Sequence, residues 1–300
     1  MPAKKPSTPA KSLSRQPRLH NRQKETVKKS VAAGMELANL FPRFRNGARV
    51  TETSAVLSFD LAAATRHLGE RDECLKRLIE EAPPFQIDIA DAQSPYEALL
   101  EAIAYQSISG KAAATIYGRI KALSATGRAP TPQEMLKLRK PILRKAGLSG
   151  AKVLAMKDLA QKTIDGVVPS LEQAQKLSDE ELVERLVSVR GIGAWTVEML
   201  LIFRLGRPDV LPIHDLGVKK GWSITYGKKH MPKPKELLAF GERWRPYRTV
   251  ASWYMWRAFQ RAGYAATNKI RPAKIRKPKP SKAVHPKRTK PRPASRSKRP

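Results

Sequence analysis

The segment Val189-Arg190-Gly191-Ile192-Gly193-Ala194-Trp195-Thr196 constrains the chain most, because it joins two helical patterns with room for nothing but a tight turn. Upstream, Leu182, Val183, Leu186 and Val187 recur at helical spacing, and Ser178 with Glu181 forms a capping box that starts the helix. That helix is expected to end near Val189. Two glycines separated by one residue permit a left-handed turn. Ala194 to Phe203 then restarts a helix with Trp195, Met199, Leu200 and Ile202 as its apolar positions. Backbone N–H groups at such a turn and at the second helix's N-terminus are left without intrahelical partners, and no side chain covers the glycines. A nest of this kind suits a phosphate oxygen and would grip it independently of base sequence. A Gly-x-Gly can also do no more than turn the chain.

A lone acid, Asp215, follows 22 positions after Gly193 in Leu211-Pro212-Ile213-His214-Asp215-Leu216-Gly217. It stands between an extended Val210–Ile213 segment and a new helix at Leu216, so it reads as a candidate functional carboxylate, with a plain helix N-cap as the alternative, and one side chain can be both. Three further segments accompany it. These are Ser94–Ala113, with the run Gln106-Ser107-Ile108-Ser109; Leu143–Lys152, with Gly147-Leu148-Ser149; and Trp244–Trp256, with Arg245-Pro246-Tyr247-Arg248.

In that order and with those gaps, residues 57 to 260 resemble the helix-hairpin-helix DNA glycosylase superfamily, and within it the alkylated-base branch of the DNA-3-methyladenine glycosylase II type. Ser94–Ala113 is similar to the family's long helix ending in a Gln-x-Ile-Ser-x-x-Ala-Ala run, and Trp244–Trp256 to its closing helix. The resemblance implies an all-α fold of two helical lobes with a cleft between them. It also implies removal of 3-methyladenine-type alkylated purines from double-stranded DNA by base flipping, as the first step of base excision repair.

Breaking an N-glycosidic bond develops oxocarbenium charge on the deoxyribose. A fixed carboxylate stabilises that charge and orients or deprotonates the attacking water, a role the resemblance assigns to Asp215. Bifunctional members carry a Schiff-base lysine two residues after the second hairpin glycine, and this chain has Trp195 there. A monofunctional enzyme that leaves an abasic site is therefore expected. Alkylation makes a purine cationic, so electron-rich rings favour it. Trp195 and Trp256 match pocket aromatics of the alkylated-base branch, and Tyr247 and Met199 join them as candidate pocket residues. Ordinary core packing is the alternative for each. Where relatives place a tyrosine beside the acid, this chain has Leu216.

Candidate DNA contacts are Gly191, Gly193, Ala194 and Thr196 at the hairpin, Gln106 and Ser109 near the superfamily's intercalating wedge, and Lys219. Gln106, Ile108 and their neighbours all remain candidates for the wedge itself. The resemblance further implies a Na⁺ or K⁺ ion on the backbone carbonyls of Val187, Val189 and Ile192. The single cysteine, Cys74, excludes a four-cysteine iron–sulfur cluster, and the five histidines lack zinc-ligand spacing. No other cofactor is expected. The same scaffold acting on deaminated or mismatched bases, and a DNA binder without catalysis, are the alternative readings.

Composition points to a polyanionic partner. The formal net charge is +32, but residues 269–300 hold 14 Lys or Arg and no acid, and residues 1–30 contribute a further +8, leaving only +10 for the middle. Both ends are rich in Pro, Lys, Arg, Ser and Ala, and cannot bury enough apolar surface to offset the entropy of ordering. A disordered N-terminal tail over 1–45, a glycosylase domain over 46–265 and a disordered basic tail over 266–300 follow. Near DNA the tails would release counterions from phosphates; as alternatives they aid solubility or direct nuclear import. Neither a secretory signal nor a bilayer-spanning run is present, so a monomer in the cytoplasm, nucleoid-associated in a bacterium or nuclear in a eukaryote, is expected. The body reads as almost wholly helical. Only Val50–Phe59 and Phe85–Ile89 alternate like strands.

Overall fold

The computed structural model describes residues 57–87 and 94–269. Among them there are thirteen α-helices, one short 3₁₀ turn and no strand. The helices are α1 (Leu61–Arg71), α2 (Glu73–Glu81), α3 (Pro95–Tyr105), α4 (Gly110–Lys121), α5 (Pro132–Lys137), α6 (Lys140–Lys145) and α7 (Gly150–Ile164). They continue with α8 (Leu171–Lys176), α9 (Asp179–Val187), α10 (Ala194–Phe203), α11 (Leu216–Thr225), α12 (Pro234–Gly241) and α13 (Arg248–Lys269).

Most boundaries follow from side chains that satisfy the free N–H groups of a first turn. Thr131 with Glu134, Ser170 with Gln173 and Ser178 with Glu181 make complete capping boxes at α5, α8 and α9. At α3 the Ser94 hydroxyl accepts from Glu97 N, and Pro95 fills the first helical position. Ser109 and Ser149 cap α4 and α7 in the same way.

The chain departs from its sequence pattern in two places. The long helix that the resemblance implies over Ser94–Ala113 is two, because Gln106 leaves the helical region at φ −54, ψ 133 and Ser107 adopts φ 59. Ser109 then starts α4, a helix the periodicity alone did not separate. Phe85–Ile89 is not a strand over its described part, which ends at residue 87. Its alternation has another origin: Phe85 is buried against the Trp253 ring at 5.3 Å, and Gln86 O accepts from Trp253 Nε1 at 3.1 Å. The extended segment is draped over a helix whose side chain supplies the hydrogen bond a neighbouring strand would give. Of Val50–Phe59, only 57–59 are described and they are irregular. The tails assigned to 1–45 and 266–300 lie outside the described residues apart from the last turn of α13.

Two groups of helices emerge from the contacts. One links α3 with α4, α7 and α10, α5 and α6 with α7, and α9 with α10; the other brings the early helices α1 and α2 onto α13 and packs α11 along α13. The second crossing is close because Gly221 sits where a Cβ would fall 1.8 Å from Met255 O. The groups meet where Phe203, ending α10, stacks on Trp256 of α13 at 5.6 Å and 27°. No helix among the described residues is long and apolar enough to cross a membrane.

Candidate active site

Asp215 lies at this meeting point and is only 4 % exposed. Its Oδ1 accepts from Val218 N at 2.7 Å and from Trp256 Nε1 at 2.8 Å, while Oδ2 accepts from Trp195 Nε1 at 2.8 Å. The N-cap reading of the sequence therefore holds. The carboxylate caps α11, and it is also clamped between indoles from two other helices. Gly217 permits the clamp, since a Cβ there would lie 2.7 Å from Trp256 Cδ1 and 3.1 Å from Asp215 Oδ1.

The connector that delivers Asp215 is pinned at several points. Arg207 Nη2 donates to the carbonyls of Ala174 and Leu177, tying its start to the end of α8. Arg248 holds Asp209 through Nε and Nη2 at 2.7 and 3.0 Å, a two-bond fork that fixes orientation as well as distance. Thr249 Oγ1 donates to Arg207 O and accepts from Val210 N, so Val210 runs extended along the first turn of α13.

The hairpin has the geometry the glycines suggest. Gly191 has φ 79, a value only glycine adopts without strain, and Ile192 N closes the turn on Val189 O at 3.0 Å. Gly193 is the N-cap of α10, offers no capping side chain, and would have nothing within 4 Å of an added Cβ. Gly191, Gly193 and Ala194 are exposed, whereas Thr196 is buried. Two braces were not legible in the sequence. Asp158 Oδ2 on α7 accepts from Arg190 N at 2.7 Å, and the Lys162 ammonium donates to Ser188 O. From the other side, Gln106 Nε2 donates to Gly191 O at 3.0 Å, and Lys152 Nζ caps the end of α3 at Ala104 O, 2.8 Å away. The Gln106 loop and the hairpin thus form one rigid ledge.

Residues 100–246 match the HhH-GPD superfamily of base excision DNA repair proteins. Over 215 residues, 71 % of this chain and 93 % of the relative, the sequence is 40 % identical to DNA-3-methyladenine glycosylase 1 of Schizosaccharomyces pombe. The chain belongs to the HhH-GPD superfamily. Among solved structures of this superfamily, the fold is similar to that of S. pombe 3-methyladenine DNA glycosylase (Mag1) in complex with abasic DNA. That likeness has a TM-score of 0.61 at 39 % identity and covers 67 % of this chain and 98 % of that one. It is similar also to a DNA-3-methyladenine glycosidase from Bacillus halodurans, with a TM-score of 0.60 at 31 % identity, covering 65 % and 88 %.

The remaining candidates in this HhH-GPD chain divide. Trp195 is half-buried, so part of its ring is open, whereas Trp256 is 1 % exposed and serves as a wall that donates to Asp215. Met199 is fully buried core. Tyr247 stands apart from the carboxylate, edge-on to His67 at 5.3 Å and tilted on Phe59 at 6.0 Å. Lys219 lies half-buried in the first turn of α11, and Ser109 is exposed with its hydroxyl committed to the α4 cap. Ile108 is half-buried against the core, leaving Ser107 as the exposed tip of the loop.

The hairpin carbonyls of Val187, Val189 and Ile192 are neutral, hard oxygen donors of the kind that suit an alkali cation. The one bond from Ile192 N leaves Val189 O a second lone pair. Among the described residues no group of three or more His, Cys, Asp or Glu is placed to hold a metal ion. One acid escaped the sequence reading altogether. Glu198 follows Trp195 by three positions on α10; burial, and then the negative charge of Asp215, push its carboxyl up to about 7.

Proposed function

We propose that the protein is a monofunctional DNA glycosylase that hydrolyses the N-glycosidic bond of 3-methyladenine-type alkylated purines in duplex DNA, leaving an abasic site for base excision repair. The clamped carboxylate of Asp215 carries this reading. A carboxylate offers about four lone-pair sites, and three of those of Asp215 accept N–H donors. The remaining site, on Oδ2, is where a water can be held and relieved of its proton as its oxygen attacks C1′. The same negative charge faces the oxocarbenium sugar, and fixed donors spare it any reorganisation during the reaction. Both S. pombe glycosylase 1 and the B. halodurans protein bear 3-methyladenine names, which supports this substrate class.

The damaged base must leave the stack, which costs a few kcal/mol and least for a base that pairs poorly. The open part of Trp195 is the surface on which a cationic purine stacks, gaining roughly 0.5–2 kcal/mol. No amine stands in the position Trp195 occupies, so no Schiff base forms and the strand stays intact. The N–H groups of the exposed Gly191, Gly193 and Ala194 bind a phosphate, the Gln106–Ser109 loop fills the space left by the flipped nucleotide, and Lys219 adds a further phosphate contact. A Na⁺ or K⁺ ion on the carbonyls of Val187, Val189 and Ile192 would add positive charge beneath that phosphate. The catalytic unit is residues 46–265 acting as a monomer, in a nucleoid or nucleus, with no iron–sulfur cluster or zinc.

Asp215→Asn tests the reading, because it keeps a cap acceptor while removing the charge. Release of 3-methyladenine from methylated duplex DNA is expected to fall by about 10²–10⁴ with affinity for the duplex retained. A parent protein that frees no base from methylated DNA, or an Asn variant as fast as the parent, would sink it. Parallel reactions on hypoxanthine- and uracil-containing duplexes distinguish an enzyme for deaminated bases.

A further inference from the structure

Glu198 is the acid this mechanism leaves idle. It lies one helical turn beyond Trp195, on the face of α10 that carries the indole donor to Asp215. Its Oε2 is shut off from solvent and meets no hydrogen-bond partner. A buried polar atom without a partner costs about 1–3 kcal/mol and calls for a reason. Three of the acids on the elements packed against α10 are engaged elsewhere. Glu101 of α3 pairs with Arg204 at 3.0 Å, Asp179 of α9 pairs with Arg207 at 3.3 Å, and Glu181 closes its capping box. Burial, and after it the negative charge of Asp215, push the Glu198 carboxyl up to about 7, so near neutral pH a substantial share of it keeps its proton. The chain thus places beside the clamped carboxylate of Asp215 a second carboxyl whose hold on its proton is strengthened by burial and by that neighbouring charge.

The two acids suit two kinds of leaving base. A purine alkylated on a ring nitrogen is already cationic, and departs neutral once it takes the electron pair of the C1′–N9 bond. An unalkylated purine such as hypoxanthine would depart as an anion unless a proton reaches it first. We propose that Glu198 is the proton donor for neutral purines: its carboxyl hydrogen-bonds the extruded base and passes its proton to a ring nitrogen as the glycosidic bond breaks. The bond's electron pair goes to the base, and the oxygen of water bonds to C1′. The proton lost by water goes to Asp215, and once the base has left Asp215 gives that proton up to solvent while solvent restores the proton of Glu198. This rests on the reading of Asp215 given above and extends its substrates to neutral bases.

The test is single-turnover release of 3-methyladenine and of hypoxanthine from duplex DNA at saturating protein, between pH 5.5 and 9, by the parent and by Glu198→Gln. Gln keeps the shape and a hydrogen-bond donor but has no proton to transfer. For the parent, hypoxanthine release is expected to fall about tenfold per pH unit above about 7, a limb absent from 3-methyladenine release. In the Gln variant that limb disappears, and the ratio of hypoxanthine to 3-methyladenine release at pH 6 drops at least about tenfold.

Thermal melting supplies a readout apart from activity. Between the ordinary 4.5 of a glutamate and about 7, the folded chain keeps a proton that the unfolded chain gives up, so stability falls as pH rises through that window. Gln lacks this loss, so the variant melts at or above the parent at pH 8 and loses that advantage towards pH 5. A parent that frees 3-methyladenine but no hypoxanthine, a pH limb that survives in the Gln variant, an equal fall for both bases, or a variant that melts lower at pH 8 would overturn the assignment. A parent that frees neither base instead removes the reading of Asp215 on which it stands.

Discussion

At Gly217 any side chain larger than hydrogen would drive the Trp256 indole off Asp215, since the added Cβ meets Cδ1 at 2.7 Å and Nε1 at 3.1 Å. Gly217→Ala is therefore expected to loosen one of the three bonds to the carboxylate as well as the packing of α11 on α13. Overpacking of this kind costs about 1–3 kcal/mol. A lost bond to a charged group costs about 1.5 kcal/mol or more, so single-turnover excision should slow by roughly tenfold or more. Melting temperature and release of 3-methyladenine measured on the same preparation check both; full activity in a stable variant would show that the indole donor is dispensable. Residues at this scale were legible only in part. Asp215 announces itself as a helix cap, but nothing near residue 217 in the sequence signals a glycine kept small by a tryptophan 39 positions away.

The hairpin works as an element because α9 and α10 are joined by a turn whose shape is imposed from outside as well as by its own glycines. Asp158 and Lys162 face it from α7, and Gln106 from the α3–α4 loop. Gly193 separates folding from binding at this scale. Its φ of −103 suits any residue, and an added Cβ meets nothing within 4 Å. Gly193→Ala should thus change stability by less than about 0.5 kcal/mol while its methyl group stands where a phosphate must approach. Fluorescence anisotropy on an undamaged duplex is expected to show weaker binding by several-fold or more; unchanged affinity would mean that the phosphate is held elsewhere. The capping boxes at Thr131 and Ser178 were readable because cap and partner lie three residues apart. The split of the 94–113 run was not, because the turn depends on Ser107 taking a conformation that its neighbours do not specify.

Across the whole molecule, charge is concentrated at the ends: residues 269–300 carry 14 of the 58 Lys and Arg. Each phosphate neutralised on duplex DNA steepens the dependence of log affinity on log salt by about 0.9. A chain ending at residue 268 is expected to bind DNA with a shallower salt dependence while its single-turnover chemistry at saturating protein is preserved. Binding titrations at several salt concentrations check this, and an unchanged slope would show the tail takes no part. The helical class of the body was legible from periodicity. The joining of α1 and α2 to α13 was not, because contacts between the two ends of a chain leave no local pattern.

By itself the sequence determined where many of the helices start, where the Gly191–Gly193 turn must fall and which lone acid follows it, since caps, turns and helical faces are settled within three or four residues. Only the tertiary structure decided that Trp195, 20 residues before Asp215, and Trp256, 41 residues after it, would close on one carboxylate. It alone decided too that an oxygen of Glu198 would be shut off from solvent near that charge and its carboxyl pushed up to about 7. The physical reason is that proton affinity and hydrogen-bond partners depend on which elements pack together, and packing is a property of the assembled helices.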